Sequence, residues 1–153
     1  MKILMVCLGN ICRSTLAEGI LKSKVNTQKV IVDSAGTADY HFGESPDERA
    51  IAIAKENGID ISQQHSRNFI VTDFDNFDII YVMDKSNYST ILSLARNNED
   101  KQKVKLILNE LYPQKDRDVP DPYYEGDKGF VLVYKILNKV CDVIALNIEK
   151  HYV

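Results

Sequence analysis

Residues 2–14 read KILMVCLGNICRS, and this stretch decides the fold. Its first part, residues 2–6, is a compact apolar run of the kind found in a strand that is buried on both faces. The run ends at a turn that contains Gly9, and residues 14–24 then place Leu16, Ala17, Ile20 and Leu21 on one helical face. We therefore predict a strand, a tight loop and a helix in this order.

The rest of the chain alternates in the same way between short apolar runs and amphipathic segments. Further strands are predicted at residues 30–34, 78–83 and 104–108. Further helices are predicted at residues 45–58, 84–96 and 130–148. In the helix at 45–58, Ser45 is the expected N-cap, Glu48 completes a capping box and Gly58 is placed to end the helix.

This alternation predicts an α/β fold. Right-handed crossovers should build a four-stranded parallel sheet of order 2-1-3-4, with helices on both faces, as in flavodoxin-like or Rossmann-like three-layer sandwiches. We expect residues 1–153 to form a single domain, because this length suits one ordinary core and not two. Ligands bind at the carboxyl ends of the strands in such sheets, so the loop after residue 6 is the first candidate site.

Composition narrows the class of protein. The formal net charge of −3 argues against nucleic acid as a partner, since nucleic-acid-binding proteins usually carry a basic field. No apolar run reaches the roughly 18 residues that span a membrane, and no signal peptide is recognisable, so we expect a cytoplasmic protein without a membrane partner. The three cysteines, an odd number, favour a reactive thiol over a disulfide framework.

The loop after the first strand has the features of a phosphate site. A tight loop that leads into a helix directs several backbone N–H groups into one concavity, where they and the helix dipole favour an anion. Gly9 and Asn10 tolerate the positive φ that such a loop needs, and Arg13 can hold two phosphate oxygens at once. The predicted phosphate-binding residues are Leu8, Gly9, Asn10, Ile11, Cys12, Arg13 and Ser14.

Cys7 stands at the end of the first strand, below the expected anion. A thiol near a helix N-terminus and a cation has a lowered pKa and can act as a thiolate nucleophile, which here predicts a cysteinyl-phosphate intermediate. Ser14 can donate a hydrogen bond to the sulfur and assist its departure. Taken alone, Cys7 could be a small core residue and Arg13 a solvated cation. Their spacing, between a strand and a helix, favours a catalytic role for the pair.

The sequence CLGNICRS at residues 7–14 resembles the active-site loop of the low molecular weight protein tyrosine phosphatases. The resemblance extends along the chain through DSAGT, SPD, HSR, MD and DPYY, at residues 33–37, 45–47, 65–67, 83–84 and 121–124. It implies hydrolysis of protein phosphotyrosine and of small aryl phosphates, without a metal or other cofactor. It also implies phosphotyrosine proteins and a tyrosine kinase as partners, and inhibition by phosphate and other oxyanions. A monomer is the default expectation.

The resemblance also assigns roles outside the loop. Asp121 lies between two prolines, which prevent regular secondary structure and so place it in a loop. It is the expected general acid and base, although Asp-Pro is also a common start of a turn. Tyr40, Tyr123 and Tyr124 are the expected aromatic walls of a phosphotyrosine slot. At Tyr40 many family members have Trp, which leaves substrate preference open.

Two further groups are predicted to support or protect the loop. The resemblance implies that Ser34 and His65 form hydrogen bonds with Asn10 and hold the loop open, and Ser14 belongs to the same supporting set. Cys12 should trap an oxidised Cys7 as a disulfide and so protect it reversibly, unless it is only a packing residue. Cys141, on the apolar face of the last predicted helix, is expected in the core.

Three alternative functions share these features in part. A thiol-dependent arsenate reductase needs two relay cysteines, and the region after the third strand has none. A protein-arginine phosphatase typically has Thr at the position of Ile11. A phosphotyrosine-binding module without activity would require the loss of Cys7, Arg13 or Asp121. Tyrosine phosphatase activity is therefore the favoured prediction.

Overall fold

The computed structural model describes residues 1–152, without the side chain of the last of these. Its four strands are β1 (Lys2–Cys7), β2 (Ile31–Gly36), β3 (Ile79–Val82) and β4 (Val104–Leu106). Its helices are α1 (Arg13–Lys22), α2 (Glu48–Glu56), α3 (Asp73–Asn76), α4 (Lys85–Ser93), α5 (Asn98–Lys103) and α6 (Gly126–Tyr152), and a 3₁₀ helix spans Ile107–Glu110. No described helix is long and apolar enough to cross a membrane.

The sheet has the predicted order 2-1-3-4, and all its strand pairs are parallel. Side chains alternate across β1 because successive residues of a strand point to opposite faces. Ile3, Met5 and Cys7 pack with α1 and α6, whereas Leu4 and Val6 pack in a second apolar cluster with α3 and α4. The prediction of a parallel sheet covered by helices on both faces is therefore confirmed.

The register of the sheet brings the ends of its strands to the candidate loop. Cys7, the last residue of β1, lies beside Gly36, the last residue of β2. A Cβ atom at Gly36 would come within 2.8 Å of the carbonyl oxygen of Leu8, so only glycine lets β2 end this close to the loop.

Several predicted boundaries were wrong. The N-cap of α2 is Asp47 and not Ser45, since the Asp47 carboxylate accepts a hydrogen bond from the Arg49 amide at 2.9 Å. The fourth strand ends at Leu106, and Ile107 and Leu108 belong to the 3₁₀ helix. Helices α3 and α5, of four and six residues, were not predicted because segments this short show little periodicity.

The expected helix end at Gly58 agrees with its φ of 78°, one residue after the C-cap of α2.

The prediction for Cys141 is confirmed. Its thiol is fully buried in the main apolar cluster on α6, and burial raises its pKa to about 12. Cys141 is therefore a neutral core residue.

Candidate active site

The loop between β1 and α1 turns its carbonyl groups outward. The carbonyl oxygens of Cys7 and Leu8 accept hydrogen bonds from the amides of Thr37 and Ala38, at 2.9 and 3.0 Å. The Gly9 carbonyl accepts a hydrogen bond from the Ser66 hydroxyl, and the Ile11 carbonyl accepts one from the Asp47 amide. The Cys12 carbonyl accepts hydrogen bonds from the Leu16 amide and the Thr15 hydroxyl.

Because C=O and N–H point in opposite directions in a trans peptide, the following amides face the inside of the loop. None of the amides of residues 8–12 donates a hydrogen bond to another group within the described chain. Together with the N-terminus of α1, these donors form a concave site suited to an anion such as phosphate.

Asn10 holds the conformation of the loop from behind. Its backbone has a φ of 56°, a conformation that costs free energy unless the surroundings support it. Its side-chain Nδ2 donates to the hydroxyls of Ser34 at 3.0 Å and Ser14 at 2.7 Å, and its Oδ1 accepts from the Arg67 amide at 3.1 Å. The side chains of Asn10 and Ser14 are thus buried behind the loop and do not line the cavity.

The expected role of His65 was wrong. Its side chain is exposed, and among the hydrogen bonds of residues 1–152 none joins it to Asn10. The next two residues supply the contacts instead: the Ser66 hydroxyl donates to the Gly9 carbonyl, and the Arg67 amide donates to Asn10. The extended chain after His65 turns these two groups toward the loop and leaves the imidazole at the surface.

Cys7 and Arg13 converge on one hollow. The thiol of Cys7 is 3% exposed, and its Sγ lies 3.0 Å from the hydroxyl oxygen of Ser14. The Arg13 guanidinium is also 3% exposed, and its Nη1 donates to Asp84 Oδ2 at 2.7 Å and to the Val119 carbonyl at 3.0 Å. Burial alone would lower the pKa of Arg13, but the charges of Cys7 and Asp84 raise it overall, so the guanidinium remains a cation.

The hollow is the floor of a cavity of about 330 Å³. Its lining residues are Cys7, Leu8, Gly9, Ile11, Cys12, Arg13, Tyr40, His41, Asp121, Tyr123 and Tyr124. The structure therefore brings together the predicted nucleophile, cation, acid and aromatic walls.

Asp121 is positioned at the side of this cavity. Its Oδ2 lies 3.6 Å from Arg13 Nη2, and its Oδ1 accepts a hydrogen bond from the Tyr123 amide at 3.1 Å. The carboxylate is 44% exposed, so it can exchange protons with water while it remains next to the phosphate hollow.

The three tyrosines differ in how much they contribute to the walls. Tyr123 is half-buried, whereas Tyr40 is 73% and Tyr124 is 91% exposed at the mouth. The Tyr124 ring meets Tyr123 edge to face, with 4.9 Å between the centroids. Tyr123 is the main wall, and the other two extend it outward.

His41 lines the cavity and was not predicted. Its ring lies above Gly9 and faces Tyr123, with 6.2 Å between the ring centroids, and its Nδ1 is 2.7 Å from Glu44 Oε2. The neighbouring Tyr40 was the only sequence signal near it. The contact of Asp84 with Arg13 was also missed, because the sequence indicated Asp84 only as the start of a helix and as part of the MD motif at residues 83–84.

A larger cavity, of about 790 Å³, lies at the opposite end of the sheet beside Met1, Lys29 and the end of α6. It borders the amino ends of the strands, its lining, among the described residues, includes no cysteine, serine or threonine, and it shares no residue with the phosphate hollow. The smaller cavity is therefore the candidate active site.

Comparison with known proteins agrees with this geometry. Residues 2–152 match the family model described as low molecular weight phosphotyrosine protein phosphatase. The human low molecular weight phosphotyrosine protein phosphatase is 38% identical, and the match covers 91% of this chain and 90% of that protein.

Solved structures show the same fold. A protein tyrosine phosphatase from Entamoeba histolytica superimposes with a TM-score of 0.91 and 39% identity, over 100% of this chain and 99% of the other. The Drosophila arginine phosphatase superimposes with a TM-score of 0.89 and 32% identity, over 100% of both chains. From the match of residues 2–152 and these relatives, the chain belongs to the low molecular weight phosphotyrosine protein phosphatase family.

Proposed function

We propose that this protein hydrolyses phosphotyrosine in proteins, and small aryl phosphates, through a cysteinyl-phosphate on Cys7. One observation carries the proposal: the loop turns its carbonyls outward around a cysteine sulfur that lies 3.0 Å from Ser14 Oγ. The inward amides and the Arg13 guanidinium bind the phosphate, and their positive field supports the thiolate and the charge of the transition state.

In the first step the Cys7 thiolate attacks phosphorus and the bond from phosphorus to the phenolic oxygen breaks. Asp121 gives its proton to that oxygen, so tyrosine leaves as a neutral phenol. In the second step water attacks the cysteinyl-phosphate and Asp121 takes a proton from it. The sulfur departs as a thiolate, which accepts the hydrogen bond of Ser14, and phosphate is released.

Phosphate release from a phosphotyrosine peptide tests the proposal. Cys7→Ser should still bind phosphate but should lose at least about a thousandfold in kcat, because the hydroxyl is a far weaker nucleophile. Cys141→Ala is the matched control, since it removes a buried thiol outside the cavity and should stay near wild type. Substantial turnover by Cys7→Ser would refute the role of Cys7.

Phosphoarginine is the main alternative substrate, because a structural relative is an arginine phosphatase. Two features favour phosphotyrosine. Ile11 presents an apolar side chain to the cavity where an arginine phosphatase would use a threonine hydroxyl, and Tyr123 provides a flat wall for a phenyl ring. The ratio of kcat/KM for phosphotyrosine and phosphoarginine tests this directly, and Ile11→Thr should shift it toward phosphoarginine. A wild-type preference for phosphoarginine would overturn the assignment.

A further inference from the structure

A buried carboxylate lies behind the phosphate loop and has no part in the proposed reaction. Glu18 of α1 is 4% exposed. Its Oε1 accepts a hydrogen bond from the Ser34 hydroxyl at 2.6 Å, and its Oε2 accepts one from Lys22 Nζ at 2.6 Å. Burial raises the pKa of Glu18, while the bonds from Lys22 and Ser34 oppose this shift. The charge of Asp33 adds to the rise, and Asp33 is itself paired with Arg67 at 3.2 Å.

Donor and acceptor can be assigned in the hydrogen bonds that connect Glu18 to the loop, beginning with those of Asn10. The Arg67 amide donates to Asn10 Oδ1, so Nδ2 must face the opposite way. Nδ2 carries the donor hydrogens and bonds both the Ser34 and the Ser14 hydroxyl oxygens. Each of these serines therefore acts as an acceptor toward Asn10 and has one hydrogen left to donate.

In the proposed reaction, the two remaining hydrogens go to two anions, the Glu18 carboxylate and the Cys7 thiolate. Ser34 donates its hydrogen to the Glu18 carboxylate, which is an acceptor only. Ser14 is left to donate toward the sulfur of Cys7, 3.0 Å away. The Arg67 amide and the Glu18 carboxylate fix the directions of the bonds made by Asn10 and Ser34, and the Cys7 thiolate of the proposed reaction fixes that of Ser14.

We propose that Glu18 is a positioning residue that acts through Ser34 and Asn10. By accepting the Ser34 hydrogen, it keeps the Ser34 oxygen available to Asn10, and so keeps the Ser14 hydrogen directed at Cys7. This role rests on the proposed function only in that Cys7 is the nucleophile. The bonds matter because they polarise one another in a buried setting and because Asn10 is held at a positive φ.

Glu18→Gln tests the direction of the bonds at almost constant shape. Lys22 would donate to the side-chain oxygen of the introduced glutamine, so the glutamine nitrogen would face the Ser34 hydroxyl. Two donors would then face each other. The Ser34 hydrogen would then be buried without its acceptor, and the anchor of Asn10 would weaken. We expect about a tenfold loss in kcat/KM, and the midpoint of Cys7 alkylation by iodoacetamide should move up by about one pH unit.

The double variant Glu18→Gln with Lys22→Glu should reverse the defect. The introduced carboxylate, one helical turn away, would accept from the new amide and turn its oxygen back toward Ser34. Recovery of kcat/KM and of the alkylation midpoint to within about threefold of wild type would support the proposal. Lys22→Glu alone should give no improvement over wild type.

Several outcomes would overturn the proposal. Wild-type kinetics and alkylation in Glu18→Gln would do so, as would an unrecovered double variant whose melting temperature equals that of wild type. Ser34→Ala gives a second measure, since Glu18→Gln should have no added effect on alkylation in that background. If instead wild type failed to hydrolyse phosphotyrosine, the proposed function would fall, while the alkylation midpoints would still report on Glu18.

Discussion

Arg13 Nη1 donates a hydrogen bond to Asp84 Oδ2 at 2.7 Å, although the two residues are 71 positions apart in the chain. The contact joins the start of α1 to the N-cap of α4, two residues after the end of β3, and Asp84 is 20% exposed there. It fixes one side of the guanidinium, while Nε and Nη2 make no hydrogen bond with other described groups. The donors of Arg13 are thus divided between the scaffold and the phosphate hollow.

Asp84→Asn should weaken phosphate binding without unfolding the protein. Asparagine is also a good N-cap and can still accept from the Asn87 amide, so α4 should be retained. The charge that orients Arg13 is lost, however, and a hydrogen bond to a charged group contributes about 1.5–3 kcal/mol. We expect kcat/KM to fall about tenfold and the inhibition constant of phosphate to rise. An unchanged phosphate constant, with the melting temperature also unchanged, would show that Asp84 does not position Arg13.

Asp121→Asn should slow poor leaving groups more than good ones. A good leaving group departs without a proton, whereas a phenolate of high pKa needs the acid, which contributes about 10²–10⁴-fold. kcat/KM is the parameter to compare, because it reports the steps up to departure of the phenol. Across a series of aryl phosphates, its dependence on leaving-group pKa should become steeper in the variant. The same slope in both proteins would remove Asp121 from the role of acid.

Cys12 should protect Cys7 from irreversible oxidation. Both thiols line the same cavity, and burial, reinforced by the charges of Asp47 and Cys7, raises the pKa of Cys12 well above its usual range. Cys12 therefore stays a thiol, and it can condense with a Cys7 sulfenic acid to form a disulfide and water.

After peroxide treatment and reduction by dithiothreitol, wild type should regain most of its activity and Cys12→Ser much less. Mass spectrometry should find the disulfide in wild type and a sulfinic acid in the variant. Equal recovery of the two proteins would leave Cys12 as a packing residue.

The contribution of Asp47 to the stability of the protein should be lost in acid. Hydrogen bonds from Arg49 hold the pKa of Asp47 below its usual range, so its contribution to stability is present above the unfolded-state pKa of about 3.9 and is lost as pH falls through the lower folded-state pKa. Asp47→Asn keeps an N-cap but has no charge to lose. Its melting temperature should lie below that of wild type at pH 7, and the difference should shrink toward pH 3.

Asp47→Ala is the matched comparison for the cap itself. It should cost about 1 kcal/mol of unfolding free energy at neutral pH, because α2 then loses the acceptor for the Arg49 amide. If the difference between wild type and Asp47→Asn stayed constant from pH 7 to 3, the Asp47 charge would have no part in stability.

The sequence by itself determined the order of the elements and the position of the candidate loop. A continuous apolar run and an apolar period of three to four residues are local properties, so β1, α1 and the apolar face of α6 could be predicted from neighbouring residues. The concave loop at residues 7–14 was also predictable, since Cys7, Gly9, Asn10 and Arg13 lie within one turn of chain. Parallel order followed from the alternation of strands and helices.

The tertiary structure alone decided which distant groups complete the site. The partner of Arg13 is Asp84, the support of Asn10 includes the Arg67 amide and not His65, and His41 closes the cavity over Gly9. None of these choices depends on local propensity. They follow from the parallel register, which brings the ends of β1, β2 and β3 to one edge of the sheet, and from backbone geometry that decides which group of a segment faces inward.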